Sequence, residues 1–251
     1  MNEHDYINKL KELELRVYDI WIKVRTQINN ELDARVSTFH SMAIAIRSFK
    51  IYLILKEKYL DDKQWFTNIY QSEYKQPWPV TDGTIQITNF GQELTHDFNV
   101  LMLMSYTQIL FSIVESKFRL SLMAIDPNAL GKKYYFHDVY TCLLKRVQKT
   151  QYQEFIKFFS LIRNTIHNNG VYMKASKRYD SSEYRGKTYE FKHNEFVKYP
   201  DGVCPSSLLL LQITPDVIDM MEDIIMNSEL ININSIPEPA YSLRSRLFTI
   251  Y

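Results

Sequence analysis

Arg163 and His167 are the residues of this 251-residue chain whose types and spacing best suit chemistry on a phosphate. They stand at i and i+4 towards the end of an apolar run that begins near Phe155, so on a helix their side chains lie about 40° apart and share a face. A permanent guanidinium beside a titratable imidazole can hold a phosphate and move a proton. Asn168, Asn169 and Gly170 follow, and Asn and Gly tolerate the left-handed backbone that ends helices. His167 is therefore expected in the last turn, where the partial negative charge of the helix end favours the imidazolium and draws its pKa towards working pH. The bland alternative is a stabilising cap, because cations near helix C-termini serve that purpose without catalysis.

Two further patterns bear on this pair. Ser105, Gln108, Ser112, Glu115 and Arg119 fall at steps of three or four and draw a polar line down an otherwise apolar helix. The line reads either as a site wall or as a solvated face on which Glu115 and Arg119 make a surface pair. A second arginine and histidine, Arg35 and His40, lie inside a long helical pattern with no terminator after them. At i and i+5 they would point about 140° apart on a regular helix, which makes them the weaker candidate.

The string Arg163-Asn164-Thr165-Ile166-His167-Asn168-Asn169-Gly170 after an apolar helix resembles the signature of the HEPN superfamily, here as an RNxxH variant. Ile113-Val114-Glu115-Ser116-Lys117-Phe118-Arg119 resembles the glutamate-containing helix that packs beside the Arg/His helix in several of its families. The resemblance implies an all-α domain, a homodimer and a metal-independent endoribonuclease of toxin or anti-phage defence systems. It implies Arg163, His167 and Asn164 as catalytic residues, with Glu115 and Arg119 supporting. Only three residues separate Arg163 from His167, one fewer than the family's usual minimum. That spacing keeps open a non-catalytic module that binds RNA, a nucleotide or a protein within a defence assembly. An antitoxin or defence-system partner is implied as well.

Composition sets the remaining bounds. Six glycines and eight prolines punctuate the chain sparsely, and no Gly-rich phosphate loop occurs. Cys142 and Cys204 show no CxxC spacing, and the six histidines show no HxxxH or HExxH, so no metal or other cofactor is expected. The beginning, Met1 to Asp5, lacks the pattern of a signal peptide, and the apolar stretch Val100 to Val114 is broken by polar residues and short for a bilayer. A cytoplasmic protein without membrane contact is expected. A net charge of +1 confines any RNA contact to a local patch.

The fold expected is mainly α, a HEPN-like helical bundle with a small β-hairpin or short strands. Apolar periodicity predicts helices over Tyr6–Ile28 and Val36–Leu60, joined at Asn29 and Asn30, then Gly91–Ile125, Phe136–Lys149 and Gln151–His167. One domain spans 1–235, with an irregular insert at 65–89 carrying a short strand at Thr84–Thr88, and a Tyr/Lys-rich insert at 171–200; 236–251 form a tail with Arg244 and Arg246. The tail reads equally as an arm for a partner or a free end. Thr214-Pro215-Asp216 reads as the start of the last helix. From Val171 to Tyr199, five tyrosines and seven Lys or Arg stand against four Asp or Glu. Such a mixture suits single-stranded RNA, although a tyrosine-rich hairpin packed over the helices, or a dimer contact, explains it better.

Overall fold

The periodic run of apolar residues at the start of the chain forms helix α1, Glu3–Ile28, with Leu10, Leu13, Val17, Ile20 and Val24 buried. Asn29 stops it with φ of 51°, and Asp33 then caps α2, Ala34–Leu55, by accepting the Arg35 N–H at 2.9 Å. The two helices run antiparallel: Glu14 pairs with Arg47 at 2.6 Å and with Lys50, while Trp21 meets His40 with ring centroids 5.9 Å apart. The computed structural model describes residues 3–60, 62, 64, 68, 87–129, 131, 135–168, 170–173, 179–195, 197 and 207–239. Among these, seven α-helices and one two-stranded antiparallel sheet give the mainly-α fold with a small hairpin that the sequence leads one to expect.

A π-helical turn, Lys56–Leu60, ends the first pair, and the next described helix is α3, Ile87–Ile125. Most of the insert at 65–89 lies outside the described residues, and so do residues 84–86 of the expected strand. Ile87 and Thr88 are helical instead. Extending an existing helix adds one hydrogen bond per residue, which outweighs their mild preference for strand. Helix α3 stops at Asp126-Pro127, and Asp126 accepts the Asn128 N–H at 3.1 Å.

Helices α4, Phe136–Arg146, and α5, Gln153–Ile166, pack on α3, with a 3-10 turn at Thr150–Tyr152 leading into α5. Phe111 of α3 is the common contact, edge-on to Phe136 and to Phe159 with centroids 5.2 Å away in both cases. That geometry places the positive edge of one ring against the face of another. Strands β1, Asp180–Tyr184, and β2, Lys187–Phe191, pair around Arg185 and Gly186, whose φ angles of 50° and 73° match the two-residue turn favoured by twisted hairpins. Tyr184 stacks on Phe158 at 4.6 Å and Tyr189 lies 4.7 Å from the same ring, so the hairpin packs over α5.

Helix α6, Ser207–Ile225, runs straight through the position expected to start it, with Pro215 inside. Leu209, Leu210, Leu211 and Ile213 are buried, and their burial offsets the hydrogen bond that proline cannot donate. The Thr214 hydroxyl, expected to cap a helix, donates to the Leu210 carbonyl at 2.7 Å and lies 3.0 Å from the Tyr106 hydroxyl. Asn227 caps the short α7, Ser228–Ile231. The chain then returns to the start of α2. The Ile236 N–H donates to Asp33 Oδ2 at 2.9 Å, the Ala34 N–H donates to the Ile236 carbonyl at 2.8 Å, and Glu238 pairs with the buried Lys117. The first residues of the tail are thus anchored; 240–251, with Arg244 and Arg246, lie outside the described residues.

Candidate functional site

Arg163 and His167 sit at the C-terminal end of α5. The helix ends at Ile166 and His167 is its C-cap, its N–H donating to the Arg163 carbonyl at 3.3 Å. Gly170 closes the end: at φ of 88° its N–H reaches the Thr165 carbonyl at 2.9 Å, a backbone position that resists any side chain. The expected helix stop is therefore present at Asn168 and Gly170, while Asn169 lies outside the described residues.

Glu115 and Arg119 of α3 face this helix end. Arg119 donates to Glu115 Oε1 through Nη2 at 2.7 Å and Nε at 3.3 Å, while Arg163 Nη2 stands 3.6 Å from Glu115 Oε2. One carboxylate thus divides between two guanidinium groups. Below, the Arg163 guanidinium lies over the Phe111 ring, 5.3 Å from its centroid, which adds a cation–π attraction. Asn164 reaches Arg163, accepting from Nη1 at 3.2 Å, and its backbone carbonyl accepts from Asn168 Nδ2 at 3.0 Å. It orients the arginine rather than the imidazole.

Arg163 is held but not saturated. Its Nε is buried without a hydrogen-bond partner, and the contact to Glu115 is longer than a hydrogen bond. About 30% of its side chain is exposed, and His167 beside it is exposed. Partial burial lowers the His167 pKa from its ordinary value, the Arg163 cation lowers it further, and Glu115 works in the opposite sense. This corrects the expectation of an imidazolium favoured by the helix end. Burial first and the Arg163 cation second both disfavour the charged ring.

Arg35 and His40 do not form a second site. Arg35 is 2% exposed and makes a two-pronged pair with Asp33, Nε to Oδ1 and Nη2 to Oδ2, each at 2.7 Å. Its Nη1 donates to the carbonyls of Leu230 at 2.7 Å and Ile233 at 2.9 Å, covering the end of α7. His40 packs against Trp21.

The segment after Gly170 uses its aromatics in the core. Tyr172, Tyr184 and Tyr189 are buried, and Tyr199 lies outside the described residues. Tyr179 is half exposed, and its hydroxyl donates to Glu190 at 3.1 Å. Sequence reasoning missed Phe111 as the platform under Arg163, although it lies one helical turn before Glu115 and was readable from that spacing. It also missed Asp33, whose position just before a helix is the usual sign of an N-cap. Among the described residues no group of three or more His, Cys, Asp or Glu side chains could hold a metal ion. A polar depression lined by Arg146–Lys149 and Asn227–Glu229 includes none of the residues of the Arg/His cluster. No protein-family model, no curated protein and no solved structure matches the chain.

Proposed function

We propose that the chain is a metal-independent endoribonuclease of the HEPN type, a toxin or anti-phage defence effector that acts as a homodimer. One observation carries the reading: an anchored arginine with donors to spare lies on the same helix end as an exposed histidine whose neutral form is favoured. A neutral imidazole accepts protons, and an unsaturated guanidinium suits phosphate oxygens.

In the proposed reaction His167 takes the proton of the 2′-hydroxyl as the 2′-oxygen attacks phosphorus. The bond to the 5′-oxygen breaks, and the leaving oxygen takes a proton from an acid, which gives a 2′,3′-cyclic phosphate and a 5′-hydroxyl. Arg163 offsets the charge that grows on the phosphate. Glu115, Arg119 and Asn164 act as positioning residues. One chain supplies one such histidine, so base and acid together call for two copies of His167.

The test is cleavage of mixed cellular RNA in EDTA by the wild type and by His167→Ala, with product ends assayed for cyclic phosphate. The expected loss in the variant is roughly 100-fold or more. Equal cleavage by both proteins would remove His167 from the site. The second reading is a non-catalytic RNA- or protein-binding module, favoured by the short Arg163–His167 spacing; RNA retention without turnover selects it.

A further inference from the structure

Phe111 precedes Glu115 by four residues on α3, and Phe159 precedes Arg163 by four on α5, so each pair shares a face of its helix. The two helices therefore meet at two levels. Ring stands against ring at Phe111 and Phe159, and charge stands against charge one turn further on at Glu115 and Arg163. Side chains on a helix lean towards its N-terminus. A long arginine at the second level accordingly reaches back over the ring at the first, and Arg163 Cζ comes to 5.3 Å from the Phe111 centroid. The ring has no room to give way. It is 1% exposed and stands steeply against two others, at 76° to Phe136 and 70° to Phe159.

A guanidinium carries five N–H donors. Among the described residues the Arg163 side chain makes one hydrogen bond, from Nη1 to Asn164 at 3.2 Å, because Glu115 at 3.6 Å from Nη2 lies beyond hydrogen-bond length. Its Nε is buried without an acceptor. A buried N–H with no partner is costly, and the negative face of an aromatic ring offsets part of that cost. Arg35 shows the other way to seat an arginine: the Asp33 carboxylate holds it by two prongs and takes up both its charge and its donors. Phe111 has no charge to cancel and no lone pair to offer. Since Glu115 is shared between Arg119 and Arg163, two cations stand against one carboxylate and the cluster keeps a net positive charge.

We infer that Phe111 is a positioning residue for phosphate chemistry at the end of α5: its ring fixes the Arg163 guanidinium without taking up its charge or its donors, and so leaves the Nη groups to a phosphate. The inference rests on the reading of this cluster as a phosphate site. It adds the residue that keeps the arginine both still and uncommitted.

The experiment compares the full chain as wild type, as Phe111→Leu, and with a ring-trifluorinated phenylalanine in place of either Phe111 or Phe118. Fluorine on the ring edge strips negative charge from the face while nearly keeping the shape, so packing is held and the attraction for a cation is lost. Phe118 is the control, fully buried and packed on Phe136 at 5.9 Å. Inorganic phosphate is titrated against the His167 imidazole resonances. Fluorination of Phe111 is expected to weaken phosphate binding by about 2- to 5-fold and Phe111→Leu by roughly 10-fold, with no change on fluorination of Phe118. A guanidinium freed from its seat also lowers the His167 pKa less, so the His167 titration should move up in both Phe111 variants and stay in place in the control. The kcat of RNA cleavage in EDTA should fall in the same order. Phosphate affinity and His167 titration equal to the wild type in the chain fluorinated at Phe111 overturn the inference. Equal changes from the two fluorinated positions overturn it as well, and so does a wild type that binds no phosphate. Phosphate binding that follows the Phe111 ring in a chain that cleaves no RNA keeps the seat and sinks the nuclease, whereas RNA cleavage indifferent to the ring does the reverse.

Discussion

Arg35 and Arg163 each precede a histidine on a helix, and the molecule puts them to opposite uses. Arg35 is sealed between a buried carboxylate and the carbonyls at the end of α7, where every prong of its guanidinium has an acceptor. Arg163 is steadied by Glu115, Asn164 and the face of Phe111, while its Nε remains unpaired and His167 stands exposed beside it. The same side chain is a rivet in one place and a partly exposed, incompletely paired group in the other. Residue type does not separate the two cases, and spacing only ranks Arg163 and His167 above Arg35 and His40. What separates them is the acceptor count within reach, which depends on elements distant in sequence.

The largest expected effect lies at the buried arginine. Arg35→Ala leaves the Asp33 carboxylate buried with fewer partners and uncovers the end of α7, so it should destabilise the fold by about 3–5 kcal/mol in urea unfolding. Arg163→Ala should change stability by less than about 1 kcal/mol, because its partly exposed pair with Glu115 contributes little. Equal losses from the two substitutions would erase the distinction between them. The order reverses for the proposed RNA cleavage, where Arg163→Ala should cost roughly 100-fold or more and His40→Ala nothing. An unaffected Arg163→Ala variant would show that the cluster at the end of α5 is a cap.

Acid separates the two regions as well. Burial alone would raise the pKa of Asp33, but hydrogen bonds from the Arg35 side chain and from the backbone N–H groups of Ile236 and Arg35 hold it below the usual carboxylate value. A depressed carboxylate contributes stability that is present above its unfolded pKa and is lost as pH falls through the folded one. Acid unfolding of the wild type should therefore begin below about pH 4 with release of the Ile236–Glu238 segment from α2. Proteolysis of the tail at stepwise lower pH reports that release. A tail cleaved as readily at neutral pH as in acid would mean that the anchor does not hold.

The helices were legible in the sequence because their signals are local. Leu10, Leu13, Val17, Ile20 and Val24 repeat at helical spacing, Asn29 ends α1, and Asp126-Pro127 ends α3. The Arg163–His167 and Glu115–Arg119 pairs were legible for the same reason, since each sits one turn apart on its own helix, whereas the meeting of the two pairs was implied only by the family resemblance. Thr214-Pro215 misled because its local signal is a genuine start signal, overruled by the burial of Leu209 to Ile213 against elements far away in the chain. The fate of Arg35 was hidden likewise. Its partners at Leu230 and Ile233 lie almost two hundred residues further on, and no periodicity within α2 points to them.

The smallest effect is the sharpest probe of the poised cluster. Burial and the Arg163 cation both lower the His167 pKa and Glu115 raises it, so the two charged neighbours act in opposite directions on one ring. Arg163→Gln should move the His167 titration up and Glu115→Gln should move it down, as read from the imidazole proton resonances across pH 4–8. A histidine with a lowered folded pKa contributes stability that is present above the unfolded value of about 6.5 and lost as pH falls through the folded one. His167 is exposed, so that contribution to stability is slight and the titration itself is the better readout. In the proposed reaction the acid limb of the rate profile should follow the same two shifts, up in Arg163→Gln and down in Glu115→Gln. Shifts of the same sign in both variants would mean that the ring senses a change of structure rather than the two charges, and would detach His167 from the cluster that Glu115 organises.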